Sequence, residues 1–103
     1  MGMEEKKTED RRGELQPVNI PVQMFCAVDT TGKISPIWFR LETEEHCIES
    51  IRIEAVLSRD EIAYVGIREK RFICSILLQG ARRILEIRYH VESQKWRIFR
   101  FLS

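Results

Sequence analysis

Histidine and cysteine are scarce in this chain, two and three among 103 residues. Cys26, Cys47, Cys74, His46 and His90 show no CxxC or HxxxH spacing, so no metal framework of converging ligands is expected. An odd, scattered set of cysteines does not describe a disulfide scaffold either. Cys26 and Cys74, set among apolar neighbours, read as small buried hydrophobes. His46 and Cys47 are the one adjacent pair that suggests a base and a nucleophile. Neighbours on an extended segment point to opposite faces, which keeps such a pair from hydrogen bonding to each other.

The chain also has no glycine-rich phosphate loop, no GxSxG elbow and no HExxH. Its carboxylates cluster at 42–61, mostly in turns or on outward positions, where a solvated face is the ordinary reading. No catalytic residue, metal, cofactor or small-molecule substrate is therefore expected, and the protein is read as non-enzymatic. No apolar run is long enough to span a bilayer and no signal-peptide core is present, from which a cytoplasmic protein away from membranes is expected. Lys6 stands where a myristoylation signal needs Ser or Thr.

Residues 1–16 hold nine charges, one leucine and no aromatic or β-branched aliphatic residue. Such a segment cannot bury enough apolar surface to offset its ordering entropy, and a disordered tail is expected. Residues 17–103 remain for a single domain, and a chain of this size buries enough for one small core.

What the remainder does contain is alternation. Residues 71–91 read as one β-hairpin. Gly80-Ala81 suits a two-residue type II′ turn, with Gln79 opposite Arg82, Ile76 opposite Leu85, Cys74 opposite Ile87 and Phe72 opposite Tyr89. One face is then apolar, and Ser75, Glu86 and Arg88 point to the other. A slip of one residue would exchange the faces, so the pairing is strongly specified.

Upstream, PVNIP (17–21) is an extended lead-in, because each proline pushes its predecessor away from helix. Strands are expected at 23–29 and 34–42, joined by Thr30-Thr31-Gly32-Lys33; Pro36 cannot donate to a ladder, so the second strand either lies at an edge there or begins in earnest at Ile37. Trp38 and Arg40 share the outward face of the second strand. A third strand at 50–58 directs Ile51, Ile53, Ala55 and Leu57 inward and Arg52 and Glu54 outward. A turn at Arg59-Asp60-Glu61 leads to a fourth strand at 62–67, where Gly66 marks a bulge or bend. The last strand is 96–102. A loop of Glu92–Gln94 would pair Ile87 with Phe99 and Leu85 with Phe101. Six or seven short antiparallel strands with tight turns describe an all-β protein, a small, partly open barrel.

Two features point to partners. Residues 41–61 carry seven acidic and two basic residues, a balance of −5, and residues 67–103 carry nine basic and three acidic, a balance of +6. Basic strands bearing aromatic rings suit a nucleic-acid platform, with Arg88, Arg97 and Arg100 for phosphates and Trp38 or Trp96 for bases. An acidic third strand beside the basic ones would instead neutralise them. Trp96, with Ile98 and Leu102, suggests a second apolar surface, a partner site or homodimer seam unless the first strand covers it. The candidate contact residues are thus Trp38, Arg40, Arg88, Trp96, Arg97 and Arg100. The reading is a binding or accessory module for a protein partner or a second copy; the alternative is a nucleic-acid-binding barrel using the C-terminal hairpins.

Three short motifs carry a resemblance. An aspartate-glycine turn precedes Ser35-Pro36-Ile37-Trp38-Phe39-Arg40. Ile53-Glu54-Ala55-Val56-Leu57 forms a second, and Glu86-Ile87-Arg88-Tyr89 with Lys95-Trp96 closes the set. Together, over residues 28–96, they resemble a small family of uncharacterised bacterial proteins, although here Thr30-Thr31 separates Asp29 from Gly32. The resemblance implies a β-rich fold and assigns no activity and no binding residue.

Overall fold

A computed structural model describes residues 17–103, and all of its regular structure is antiparallel β. The expected tail at 1–16 lies outside the described residues. Six strands follow one another: β1 (Ile20–Val28), β2 (Ile34–Glu42), β3 (Ile48–Tyr64), β4 (Ile67–Leu78), β5 (Ala81–His90) and β6 (Lys95–Phe101). Each pairs with the next, and β1 pairs with β6 through Ile20–Ile98, Pro21–Arg97 and Val22–Trp96. The barrel is therefore closed rather than partly open, and closure removes edges that would otherwise template aggregation. Among the described residues no helix is long and apolar enough to cross a membrane.

The turn expected at Arg59–Glu61 does not form. β3 runs straight through it for 17 residues, because Asp60 and Glu61 find Arg71 and Lys70 directly across the ladder on β4. The chain reverses instead at Val65-Gly66, both with positive φ, so Gly66 belongs to a turn and not to a bulge.

The β4–β5 turn also sits one residue earlier than Gly80-Ala81. Gln79 and Gly80 both have positive φ, which fits a type I′ turn, and Leu78 pairs with Ala81. Every partner moves by two relative to the expected register: Cys74 faces Leu85 and Phe72 faces Ile87. Because the side-chain period is two, a shift of two leaves the faces unchanged. Phe72, Cys74, Ile76, Leu85 and Ile87 all remain in the core, beside Phe39, Ile51, Ile53 and Ile98.

Four irregularities set the curvature. Ile37 in β2, Glu54 and Leu57 in β3 and Phe99 in β6 are extra residues between otherwise regular pairs. Each bulge switches the phase of inward and outward positions along its strand. After Glu54 the inward residue is Val56, opposite Cys74, while Ala55 and Leu57 are exposed. The uniform alternation expected for 50–58 therefore holds only to Ile53. At β6, Ile87 meets Ile98, not Phe99, whereas Leu85 does meet Phe101 across a four-residue turn after His90. The bulge at Ile37 also accommodates Pro36, which pairs with Cys26 on one side and lies before the first β2–β3 pair on the other.

Candidate binding face

The outer surface of β1, β2 and β3 gathers side chains that strand pairing brings together from distant parts of the chain. Phe25 stands opposite Trp38 on the β1–β2 ladder, and their rings stack with centroids 3.9 Å apart and planes 3° from parallel. Arg40, two residues along β2, places its guanidinium 5.2 Å from the Phe25 centroid and 5.3 Å from that of Trp38. On the other side of Trp38 its ladder partner is Arg52 of β3. One indole face is thus taken by β1. The other borders a cavity of about 400 Å³ lined by Ile37, Trp38, Ser50, Ile51 and Arg52.

The bulge at Ile37 shapes this site, leaving that isoleucine nearly half exposed beside the indole instead of in the core. Among the described residues neither Arg40 nor Arg52 has a carboxylate partner. The acids two positions further along their strands are engaged elsewhere: Glu42 bonds His46 Nδ1 at 2.8 Å and Glu54 accepts from Arg82 Nε at 3.0 Å. The face therefore presents an aromatic stack, an exposed aliphatic side chain and two uncompensated guanidinium groups, a set that binds by stacking and charge.

Of the six candidate residues, Trp38 and Arg40 lie here. Trp96 does not. It points into the barrel, 5.6 Å from the Phe72 ring and 4.7 Å from Tyr89, and the edge of its strand is paired with Ile20–Val22 of β1. Ile98 beside it is 1% exposed, so the second apolar surface expected on β6 is core.

Arg88, Arg97 and Arg100 do face outward, around two carboxylates that are almost wholly buried. Glu86 accepts from Arg88 Nε at 2.7 Å and Arg100 Nε at 2.8 Å. Glu69 accepts from Arg97 Nη1 at 2.8 Å and Arg88 Nη1 at 3.1 Å. Burial favours the protonated form of Glu69, but the hydrogen bonds from Arg97 and Arg88 outweigh it and hold the carboxyl below its ordinary value. Arg97 Nε also donates to Asn19 Oδ1 at 2.8 Å, fastening the lead-in to β6.

The basic residues of β4 are matched in the same way. Arg71 grips Asp60 with two bonds of 2.9 and 2.6 Å, Lys70 reaches Glu61 at 2.6 Å, and Arg68 reaches Glu92 at 3.3 Å. Hydrogen bonds from Arg71 and Lys70 hold the Asp60 and Glu61 carboxyls below their usual range. Asp60 and Glu61 of the acidic strand thus neutralise Arg71 and Lys70 across the β3–β4 ladder, while Arg88, Arg97 and Arg100 are neutralised by Glu69 and Glu86 of their own basic segment.

His46 and Cys47 occupy the β2–β3 turn, with Cys47 Sγ directed at the Glu45 carbonyl 4.0 Å away. Cys26, expected to be buried, is exposed next to the β1 irregularity, while Cys74 is buried as expected. Phe25, Ile37 and Arg52 were not legible as site residues. The signal was the turn at residues 30–33, which pairs Val28 with Ile34 and brings position 25 opposite 38 after one bulge. No family model, no curated protein and no solved structure matches the chain.

Proposed function

We propose that the protein is a non-enzymatic binding module that docks an acidic segment of a protein partner on the β1–β2–β3 face. The observation that carries this reading is Trp38, held on Phe25 by one ring face while its other face borders a cavity shared with Arg52. Trp and Arg in a partly desolvated pocket are the side chains that dominate binding energy at protein interfaces. An apolar or planar partner side chain would seat on the indole beside Ile37, and partner carboxylates would pair with Arg40 and Arg52. Both arginines gain from such a pairing, since no carboxylate of the described residues competes for either. A second copy of this chain would be a poor occupant, because it would bring four arginines together.

A cytoplasmic location is part of this proposal. The three cysteines are all free, which fits a reducing compartment. The nucleic-acid alternative rests on the C-terminal hairpins, where phosphate would have to displace Glu69 or Glu86 from Arg88, Arg97 and Arg100.

The test is an amide chemical-shift titration of the full chain with synthetic peptides that flank a tyrosine or proline with aspartates. Single-stranded DNA and RNA oligomers serve as competing probes at about 50 mM salt, where phosphate contacts are still strong. Acidic peptides should shift residues around 25, 38, 40 and 52, and Trp38→Ala or Arg52→Glu should abolish the shifts. Binding of oligomers but not peptides would replace the reading, and shifts confined to β5 and β6 would overturn the assigned face.

A further inference from the structure

A different surface carries a second kind of contact. The outer face of β3, β4 and β5 has a hollow of about 580 Å³ lined by Glu54, Ala55, Leu57, Ser75, Arg82 and Ile84. Its floor is one cross-strand row, Ala55 opposite Ser75 and Ser75 opposite Ile84, in which the small Ala55 and Ser75 leave the space that Ile84 bounds on the β5 side. Two leucines flank it, Leu57 and Leu77, 54% and 50% exposed. The bulges on β3 leave Leu57 outward, where regular alternation would have buried it, and Leu77 faces outward by the ordinary alternation of β4 after the buried Ile76.

Hole and knob on one patch are the requirement for a two-fold contact between identical surfaces. We infer that this face is the interface between two copies of the chain, with Leu77 of each copy seated in the Ala55–Ser75 hollow of the other. The charges agree with that geometry. Arg82 is the ladder partner of Leu77, and Glu54 is the neighbour of Ala55. Seating Leu77 against the other copy's Ala55 therefore carries Arg82 toward the other copy's Glu54. Within one copy this pair already closes at 3.0 Å at the rim, with Arg82 still largely exposed and able to turn across the axis. The face is charge-balanced, unlike the arginine-bearing face around Trp38, and the inference does not depend on the function proposed there.

Sedimentation velocity of the full chain from micromolar to millimolar concentration tests it. A reversible dimer is expected, and Ala55→Arg, which fills the hollow, or Leu77→Ser, which removes the knob, should each give a monomer of unchanged circular dichroism. A charge exchange separates this geometry from any other dimer. Glu54→Arg alone and Arg82→Glu alone each place like charges across the axis and should be monomeric. An equimolar mixture of the two should dimerise, because each interface ion pair is restored between copies while the like charges within each copy remain. A wild type that is monomeric throughout overturns the inference. So does a dimer indifferent to Ala55→Arg and Leu77→Ser, or a mixture that stays monomeric.

Discussion

The guanidinium carbon of Arg88 lies 3.6 Å from the centroid of the Phe99 ring. That close stack depends on the β6 bulge, which turns Phe99 to the outside of the barrel, where it covers the Glu86–Arg88 pair. A residue that faces outward in the sheet is thereby removed from water: the Arg88 side chain is 11% exposed and Glu86 is fully buried. The network is a second, polar core on the outside of the barrel. Breaking a charged pair there leaves a carboxylate with less compensation than it needs.

Arg88→Ala should therefore destabilise the protein by about 3 kcal/mol, toward the lower end of what severing one partner of a buried pair costs, since Arg100 still serves Glu86. Ile87→Ala, in the main core, should cost about 2–5 kcal/mol. Urea unfolding of both variants measures this. A loss at Arg88 within about 0.5 kcal/mol, the range of ordinary surface changes, would mean that the network does not form.

Acid should weaken the same network. Glu69 has a carboxyl held below its ordinary 4.5 by Arg97 and Arg88 despite burial. A depressed folded-state value means the contribution is complete above the unfolded value and is lost as pH falls through the folded one. Stability should thus be level near neutrality and decline below about pH 4.5, the unfolded carboxyl range. Glu69→Gln should be less stable at neutral pH and should show a shallower acid decline. An unchanged slope in thermal melts from pH 7 to 3 would contradict the assignment.

Val65 is a β-branched residue at φ 43°, 95% exposed, in a turn whose geometry favours asparagine followed by glycine. Left-handed backbone costs an ordinary L-residue roughly 1–2 kcal/mol. Val65→Asn should recover about 1 kcal/mol of that, raising the midpoint of urea unfolding without changing its slope. A neutral or destabilising result would show that the valine side chain is held by contacts that compensate for its backbone.

Thiol labelling offers a check on the bulges. Cys26 and Cys47 are exposed, whereas burial pushes the Cys74 thiol up to about 12, the nearby Arg59 charge opposing it only in part. At mildly alkaline pH two thiols should react quickly with a chromogenic disulfide and the third only on unfolding. Rapid reaction of all three would place Cys74 outside the core, and slow reaction of Cys26 would place it within.

The faces of β4 and β5 could be read directly, because alternation with a period of two survives any shift of two in register. Phe72, Cys74, Ile76, Leu85 and Ile87 are inside although the turn is at Gln79-Gly80. The faces of β3 could not be read beyond Ile53. A bulge inserts one residue and reverses the phase, and nothing in Ile53-Glu54-Ala55-Val56-Leu57 distinguishes a bulged strand from a regular one. The turn at 59–61 was misplaced for a related reason. Three charged residues look like a loop until Arg71 and Lys70 arrive across the ladder to pair with Asp60 and Glu61, and Arg59 finds Ile34 and Ser35 of β2.

Local alternation and turn residues determined that this chain is antiparallel β with one apolar face wherever a strand is regular, since burial of apolar surface dictates that pattern. Which outward residues meet solvent was decided only in three dimensions. Phe25 with Trp38, and Glu69 with Arg97, are far apart in sequence and adjacent only through ladders, bulges and barrel closure. The side chains that outward residues find there settle the difference: Arg88 is consumed by buried carboxylates, and Arg52 is left beside an open indole face.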